Sequence, residues 1–573
     1  MELLNRALSK LVSFNSYTIR SILNLIENVH IKFYQILNAQ TFLPNYYSSK
    51  ISSFEQQLKS YSPFTLIIFG LLLIFLVSFL KIVFKNIKKV INFFLNFTEN
   101  VKILYCQLPS TKAQLEKAKV QIKEEFRKSF KSSKFKKIDF HDNKQDYTKI
   151  LAKMEQNLSN DNIKANCGKL TGAVYCANDQ VKYIAAEGAK MFLYSNLLHS
   201  DLYTYARHLE SELIRIGVDL FNGGEDACGL TTSGGTMSII NAIYSYVMRG
   251  RKRGIDNPEL IIPITAHAAF EKACIMFKIK CIKIPLNKTD YKVNLKLVEK
   301  NISKNTICLV GSFPNFPHCI CDDIEALSKM AVKYRIPLHV DCCLGGFLVA
   351  FHERAGIFTT PRFDFRLPGV TSISADLHKY GLCPKGISLL LFSNHEYRKN
   401  IFFLFPRWTG GTYVTPSFEG SRTAGLIASS YAVLTSMGKE FYAKNAKDIF
   451  DAVNKVREFI KKNCDIIEVI GEPYVCGVSF TGKYIPYFYD LMSEKGYHVN
   501  YLNQPEAIGY IFTSANVHNA NAYMKDLKEV HDKIKKEQPK KISDKAKLYG
   551  MSYSLPESVA INALDVVADA ILD

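Results

Sequence analysis

The sequence predicts an α/β protein whose mostly parallel sheet is covered by helices, with a distinct N-terminal segment ahead of it. Three observations carry this expectation. From about residue 140, short apolar runs alternate with longer helical patterns, the signature of parallel strands joined by helical crossovers. The unusual polar residues fall at the ends of those apolar runs, where ligands collect in such sheets. Ahead of this region, residues 64–80 read FTLIIFGLLLIFLVSFL and carry no charge.

That run comes first in the chain. Seventeen uncharged residues, followed by Lys81 and then IVF, are long enough to cross a hydrocarbon core with the lysine snorkelling to the interface. A buried core helix is the alternative, but it would leave one face for water, and here nearly every position is apolar. A secretory signal would be shorter and would start near residue 1. The expectation is a transmembrane helix over 64–84, an N-terminal segment over 1–63 and a basic juxtamembrane linker over 85–139. Lys81, Lys85, Lys88, Lys89 and Lys102 follow the span, whereas only Lys50 and Lys59 precede it closely. The positive-inside bias then puts the N-terminus in the lumen and the C-terminal bulk in the cytosol.

The elements of the main region follow in order. ELIIPIT leads into HAAFEKACIMF, and TICLVGSF into IEALSKMAVKY. IPLHVDCC precedes a Gly-Gly turn, and GVTSISA runs into ADLHKYG. Residues 140–439 form the large domain on this reading, and 440–573 a smaller α+β domain. The chain of 573 residues has a net charge of +20, and 14 cysteines in neither a metal nor a disulfide spacing. The basic balance suits an anionic membrane or a phosphorylated ligand. Lysines are scattered among acids, no nucleic-acid motif is present, and no nucleic-acid partner or metal is expected.

Four segments need a common chemistry. LTTSGGTMS (230–238) sets Gly234, Gly235 and Thr236 before a helical stretch. Small residues there admit a ligand, and the helix start offers free N–H groups to an anion. Alone it reads equally as a turn and cap. In TAHAAFEKA (265–273), His267 opens a helix; it either caps that helix or stacks on a flat ring. In IPLHVDCCLGGF (336–347), Asp341 ends an apolar strand; it either caps the next turn or holds a cation such as a pyridinium N–H. In SADLHKYG (374–381), Lys379 follows His378, Asp376 and Ser374. A lysine amine forms Schiff bases with carbonyls, and a desolvated site would lower its pKa. A phosphate cradle, a stacking ring, a pyridinium partner and a Schiff-base lysine, in that order, are the parts that hold pyridoxal 5′-phosphate.

At this point the chain resembles the sphingosine-1-phosphate lyases, relatives of the group II decarboxylases with the type I, aspartate-aminotransferase-like fold. The resemblance spans about residues 140–570. It rests on GKLTGAVY (168–175), FLYSNLLHSDLY (192–203), LFNGGEDACG (220–229), TSGGT (232–236), FPHCICD (316–322), FDFRLPGVTSISADLHKYGLCPKG (363–386) and GGTYVTPSFEGSR (410–422). It implies that Lys379 carries the cofactor, that Asp341 pairs with its ring nitrogen and that His267 stacks on the ring. Gly234, Gly235, Thr236, Ser374 and His378 belong to the cofactor's surroundings. Gly411 would reach the phosphate from the other subunit of a homodimer. Tyr175, His199, Lys385 and Ser421 match positions at the substrate-phosphate end, with Tyr175, His199 and Lys379 as candidate bases. Leu197, Met237 and Leu377 depart from the family's usual Pro, acidic residue and Thr, and none of them removes a proposed catalytic side chain.

The implied activity is cleavage of the C2–C3 bond of a phosphorylated sphingoid base, by retro-aldol chemistry, to a long-chain aldehyde and phosphoethanolamine. The implied location is the endoplasmic reticulum membrane. Two rivals stand beside it: a pyridoxal-phosphate-dependent amino-acid decarboxylase, and a catalytically silent membrane-tethered scaffold. The decarboxylases usually carry Asn where this chain has Asp376.

Overall fold

The computed structural model describes residues 144–165, 167–472 and 475–539, with isolated positions in the flanking segments. The chain divides into two units, Met1–Ile122 and Lys123–Asp573. The expected transmembrane helix over 64–84, the segment before it and almost all of the basic linker after it lie outside the described residues. Among the described residues no helix is long and apolar enough to cross a membrane.

A seven-stranded sheet forms the centre of the second unit, in the order β1-β7-β6-β5-β4-β2-β3. Its strands are β1 (Cys228–Thr232), β2 (Glu259–Pro263), β3 (Lys280–Ile284), β4 (Thr306–Ser312), β5 (Leu338–Asp341), β6 (Val370–Ala375) and β7 (Ser388–Phe392). Neighbours from β3 to β6 pair in parallel, and β7 runs antiparallel to both β6 and β1. The mixed, mostly parallel sheet agrees with the fold expected from the alternation. Strands β2, β4, β5, β6 and β7 are buried at every position, as sheets covered on both faces require, and this explains why they read as continuous apolar runs.

The covering helices start where local chemistry starts them. Asp323 caps the helix Ile324–Tyr334 by accepting the Ala326 N–H at 2.9 Å. Asn178 does the same for Asp179–Met191. Each satisfies an N–H that the helix itself cannot. The helix Gly235–Lys252 follows Gly234, whose φ of 133° an L side chain rarely adopts. The 39-residue helix Gly425–Asn463 breaks at Gly438, where φ is 69°.

Beyond this helix a four-stranded antiparallel sheet has the order β10-β11-β13-β12. It comprises β10 (Ile467–Val469), β11 (Gly477–Gly482), β12 (Asn500–Leu502) and β13 (Ala507–Ile511). The earlier hairpin β8 (Phe403–Trp408) and β9 (Gly411–Thr415) stands apart, with every position of β8 exposed. The segment ahead of the large sheet is stitched to the small domain. Thr171 Oγ1 accepts the Ile511 N–H at 2.7 Å, and Thr513 donates to the Val174 carbonyl at 2.8 Å. Tyr380, just past Lys379, donates to the Phe512 carbonyl at 2.6 Å. These bonds fix the Lys379 turn and the Tyr175 segment against the same domain.

Candidate active site

Topology assembles the site. Because β7 is antiparallel to both of its neighbours, β1 runs parallel to β6. The carboxyl ends of β1, β5 and β6 therefore share one edge of the sheet. That edge collects the Gly234–Gly235 turn, Asp341, and the turn carrying Asp376, His378 and Lys379.

Lys379 Nζ lies 2.8 Å from Asp376 Oδ2, and the Asp376 side chain is buried. His378 Nε2 lies 3.5 Å from the same carboxylate. Burial alone pulls the Lys379 ammonium down, but the Asp376 carboxylate, with Cys343 and Tyr175, outweighs it and holds the lysine above its ordinary range. This corrects the expectation of a lowered lysine pKa: desolvation is present, but the buried counter-charge wins.

Asp341 Oδ1 accepts the Cys343 N–H at 3.0 Å and the Ser374 hydroxyl at 3.2 Å. Its register partner on β6 is Ser374, which places the two side by side. The glycines of the TSGGT turn make the space. A Cβ on Gly235 would meet Asp376 Oδ1 at 2.7 Å and Cys343 Sγ at 2.9 Å, and one on Gly234 would reach His378 at 3.5 Å. Asp376 Oδ1 and His378 Nδ1 are buried without a hydrogen-bond partner among the described residues. A cradle that only glycine fits, two orphaned polar atoms, a lysine amine and a strand-end carboxylate suit pyridoxal 5′-phosphate, as the residues alone suggest.

Tyr175 is buried at this edge. Lys385 Nζ sits 4.6 Å from its ring centre, a cation–π contact, and Tyr380 meets the ring edge-on at 5.1 Å. Burial pushes the Tyr175 phenol well above its usual range, with the Lys379 charge opposing. Burial and the Lys379 charge lower the Lys385 ammonium.

His199 and Ser421 are both exposed, and one residue organises them. Asn196 Oδ1 accepts from Leu198 N at 3.0 Å and from Arg422 N at 3.1 Å, while its amide donates to Ser421 Oγ at 3.0 Å. His199 closes the short turn Leu197–His199 that Asn196 caps. Beneath it, Arg422 pairs with Glu210, and both contact Thr231 on β1. A cavity of about 200 Å³ lined by Ser233, Gly386, Ser421 and Arg422 lies here.

The remaining expected residues sit on neighbouring elements. His267 is exposed, and its Nδ1 accepts the Ala269 N–H at 3.1 Å, a cap made through the edge of the ring that leaves its faces for stacking. Gly411 lies in the exposed hairpin, where an added Cβ would meet no atom within 4 Å. Thr236 lies in the first turn of its helix. Two groups were missed as site residues. Asp376 was seen only as a neighbour, although its three-residue spacing from Lys379 signalled a pair. His339, which contacts Ser374, sits in a strand where nothing but the structure sets its partners. Among the described residues no cluster of side chains could hold a metal ion.

Fold and site together define a pyridoxal-phosphate-dependent enzyme of the α/β, decarboxylase-related class. Residues 248–483 match the pyridoxal-dependent decarboxylase conserved domain. The chain is 40% identical to the sphingosine-1-phosphate lyase of Saccharomyces cerevisiae over 68% of its own length and 67% of that protein's. It is 34% identical to the Arabidopsis thaliana sphingosine-1-phosphate lyase, over 89% of this chain and 95% of that one. Among solved structures, the Burkholderia pseudomallei sphingosine-1-phosphate lyase superposes with a TM-score of 0.67 at 34% identity, covering 70% of this chain and 94% of that chain. The Lactobacillus brevis glutamate decarboxylase shares the fold, with a TM-score of 0.60 at 20% identity over 72% of this chain and 98% of its own. The chain belongs to the sphingosine-1-phosphate lyase family.

Proposed function

We propose that this protein cleaves the C2–C3 bond of a phosphorylated sphingoid base, releasing a long-chain aldehyde and phosphoethanolamine. The observation that carries the reading is the placement of Lys385 beside Tyr175, next to the Lys379–Asp376 pair. It sets a second cation where a phosphorylated substrate needs one.

Lys379 would hold the cofactor covalently, Asp341 its ring nitrogen, and Gly234, Gly235, Thr236 and His378 its phosphate. His267 would cover the ring and Ser374 would steady Asp341. Bound pyridoxal phosphate supplies an electron sink for the pair released when a bond to the amine-bearing carbon breaks. The protein's own groups do the rest. Lys385, with His199 and Ser421 on the Asn196 turn, would bind the substrate phosphate. Buried and protonated, the Tyr175 hydroxyl serves as a hydrogen-bond or proton donor. Asp376 keeps the free Lys379 amine charged and in place.

The same reading makes the enzyme a homodimer with shared sites, a proposal supported by the exposed Phe403, Leu404, Phe405 and Trp408 and by Gly411 facing open space. It also sets the enzyme in the endoplasmic reticulum membrane by a single span, with the catalytic part in the cytosol. Its support is the uncharged run over 64–80 and the basic flank after it. A lipid tail would partition into that membrane, and a tethered enzyme meets it there. The test is to supply sphingosine 1-phosphate to the purified protein and assay both products. Release of CO2 from an amino acid, with no aldehyde, would favour the decarboxylase instead.

A further inference from the structure

We infer that His339, acting through Ser374, sets how strongly Asp341 holds the proton of the cofactor's ring nitrogen. This rests on the proposed pairing of Asp341 with that nitrogen. His339 lies two residues before Asp341 on β5 and is fully buried. It belongs to a file of polar side chains behind the site: Asp341, Ser374, His339, Ser372, Tyr246 and Thr371, none more than 7% exposed.

Proton counting gives the file a direction. Each hydroxyl has one proton to donate. Thr371 donates its proton to the Leu338 carbonyl at 3.0 Å. Tyr246, 2.7 Å away, must then donate to Thr371. Ser372, at 2.6 Å, must donate to Tyr246. The remaining neighbour of Ser372 is His339 Nδ1 at 2.7 Å, so Nδ1 carries the imidazole proton and donates. Burial holds the ring neutral by pulling its pKa down to about 4, against the pull of Asp341. A neutral ring protonated at Nδ1 has a bare Nε2.

That bare nitrogen faces Ser374 Oγ at 3.2 Å, and the same oxygen is 3.2 Å from Asp341 Oδ1; the Cys343 thiol also meets Ser374, but burial keeps it protonated, so it has its own proton to donate and takes no share of the serine's. One serine proton thus serves two acceptors. Each share that His339 takes is lost to Asp341, and a carboxylate with weaker donation is a stronger base toward the ring N–H. His339 is therefore a positioning residue that keeps Asp341 basic, and its tautomer is fixed from Tyr246.

Remote substitution tests this. Tyr246→Phe removes only the hydroxyl that orients Ser372. Ser372 is then free to donate to Nδ1, the imidazole proton moves to Nε2, and the Ser374 proton passes wholly to Asp341. Ser374→Ala does the opposite by removing the donor. The measurement is the 15N resonance of the ring nitrogen, followed against pH, in full-length protein reconstituted with cofactor labelled there. Tyr246→Phe should lower the midpoint of ring-nitrogen protonation by about half a pH unit and Ser374→Ala should raise it similarly, a fraction of one hydrogen bond to a charged carboxylate. The double variant should match Ser374→Ala alone, because the relay no longer has a serine to act on. Unchanged midpoints, or shifts of one sign in both single variants, would overturn the inference. Asp341→Asn serves as the separate control: a ring nitrogen indifferent to it would refute the Asp341 pairing itself. Should Ser374→Ala not fold, the sign of the Tyr246→Phe shift still decides.

Discussion

Lys379 shows why a single residue's neighbours matter more than its type. Its ion pair with Asp376 keeps it protonated, yet an amine must be neutral to join a carbonyl. Asp376→Asn removes the charge that raises the lysine and leaves burial, which lowers it. The pH midpoint for covalent loading of pyridoxal phosphate should therefore fall, as stopped-flow absorbance across pH 6 to 10 would show. A higher midpoint would contradict the pairing. Lys379→Ala should abolish turnover and the cofactor's visible band while leaving the far-ultraviolet circular dichroism unchanged. Lys385→Ala should raise KM for the phosphorylated substrate by about 10- to 100-fold, the worth of one charge-assisted hydrogen bond. Lys379 and Asp341 were legible in the sequence because each ends a strand-like run. The sign of the lysine's shift was not, because it depends on a buried partner's distance.

At the level of elements, β2, β4, β5 and β6 and the helices after β2 and β4 were readable from apolar runs and helical periodicity. Strands β1, β3 and β7 were not. Strand β3 is an edge strand, partly exposed, whose sequence KCIKI alternates weakly. The direction of β7 follows from its pairing, which local sequence does not encode. The site inherits this gap, since the common edge of β1, β5 and β6 exists only once β7 is inserted antiparallel. The Asn196 turn is likewise a long-range construction, tying residues 196–199 to 421–422. Asn196→Ala should cost about 1–3 kcal/mol from these hydrogen bonds. It should weaken substrate binding more than it slows turnover, as steady-state kinetics and thermal melts would separate.

For the whole molecule, the buried rings of His318, His339 and His352 bear on acid behaviour. Burial lowers His318, His339 and His352 to about 4, whereas an unfolded histidine titrates near 6.5. Their folded pKa values are depressed, so the stability they secure is present above about pH 6.5 and is lost as pH falls toward 4. Buried Asp322, which burial raises to about 6, acts in the opposite sense, so melting temperatures should drop across that window by the surplus of the three rings over one carboxyl, and a profile that rises toward pH 4 would contradict their control. Association is tested at the exposed hairpin, where Trp408→Glu should shift sedimentation toward monomer and reduce activity. The central claim concerns chemistry, and one measurement addresses it most directly. Purified full-length protein, loaded with pyridoxal phosphate, is given sphingosine 1-phosphate and assayed for long-chain aldehyde and phosphoethanolamine. The account predicts both products in equal amounts from a yellow protein. A yellow protein that releases neither would contradict the assigned carbon–carbon cleavage while leaving the cofactor site standing.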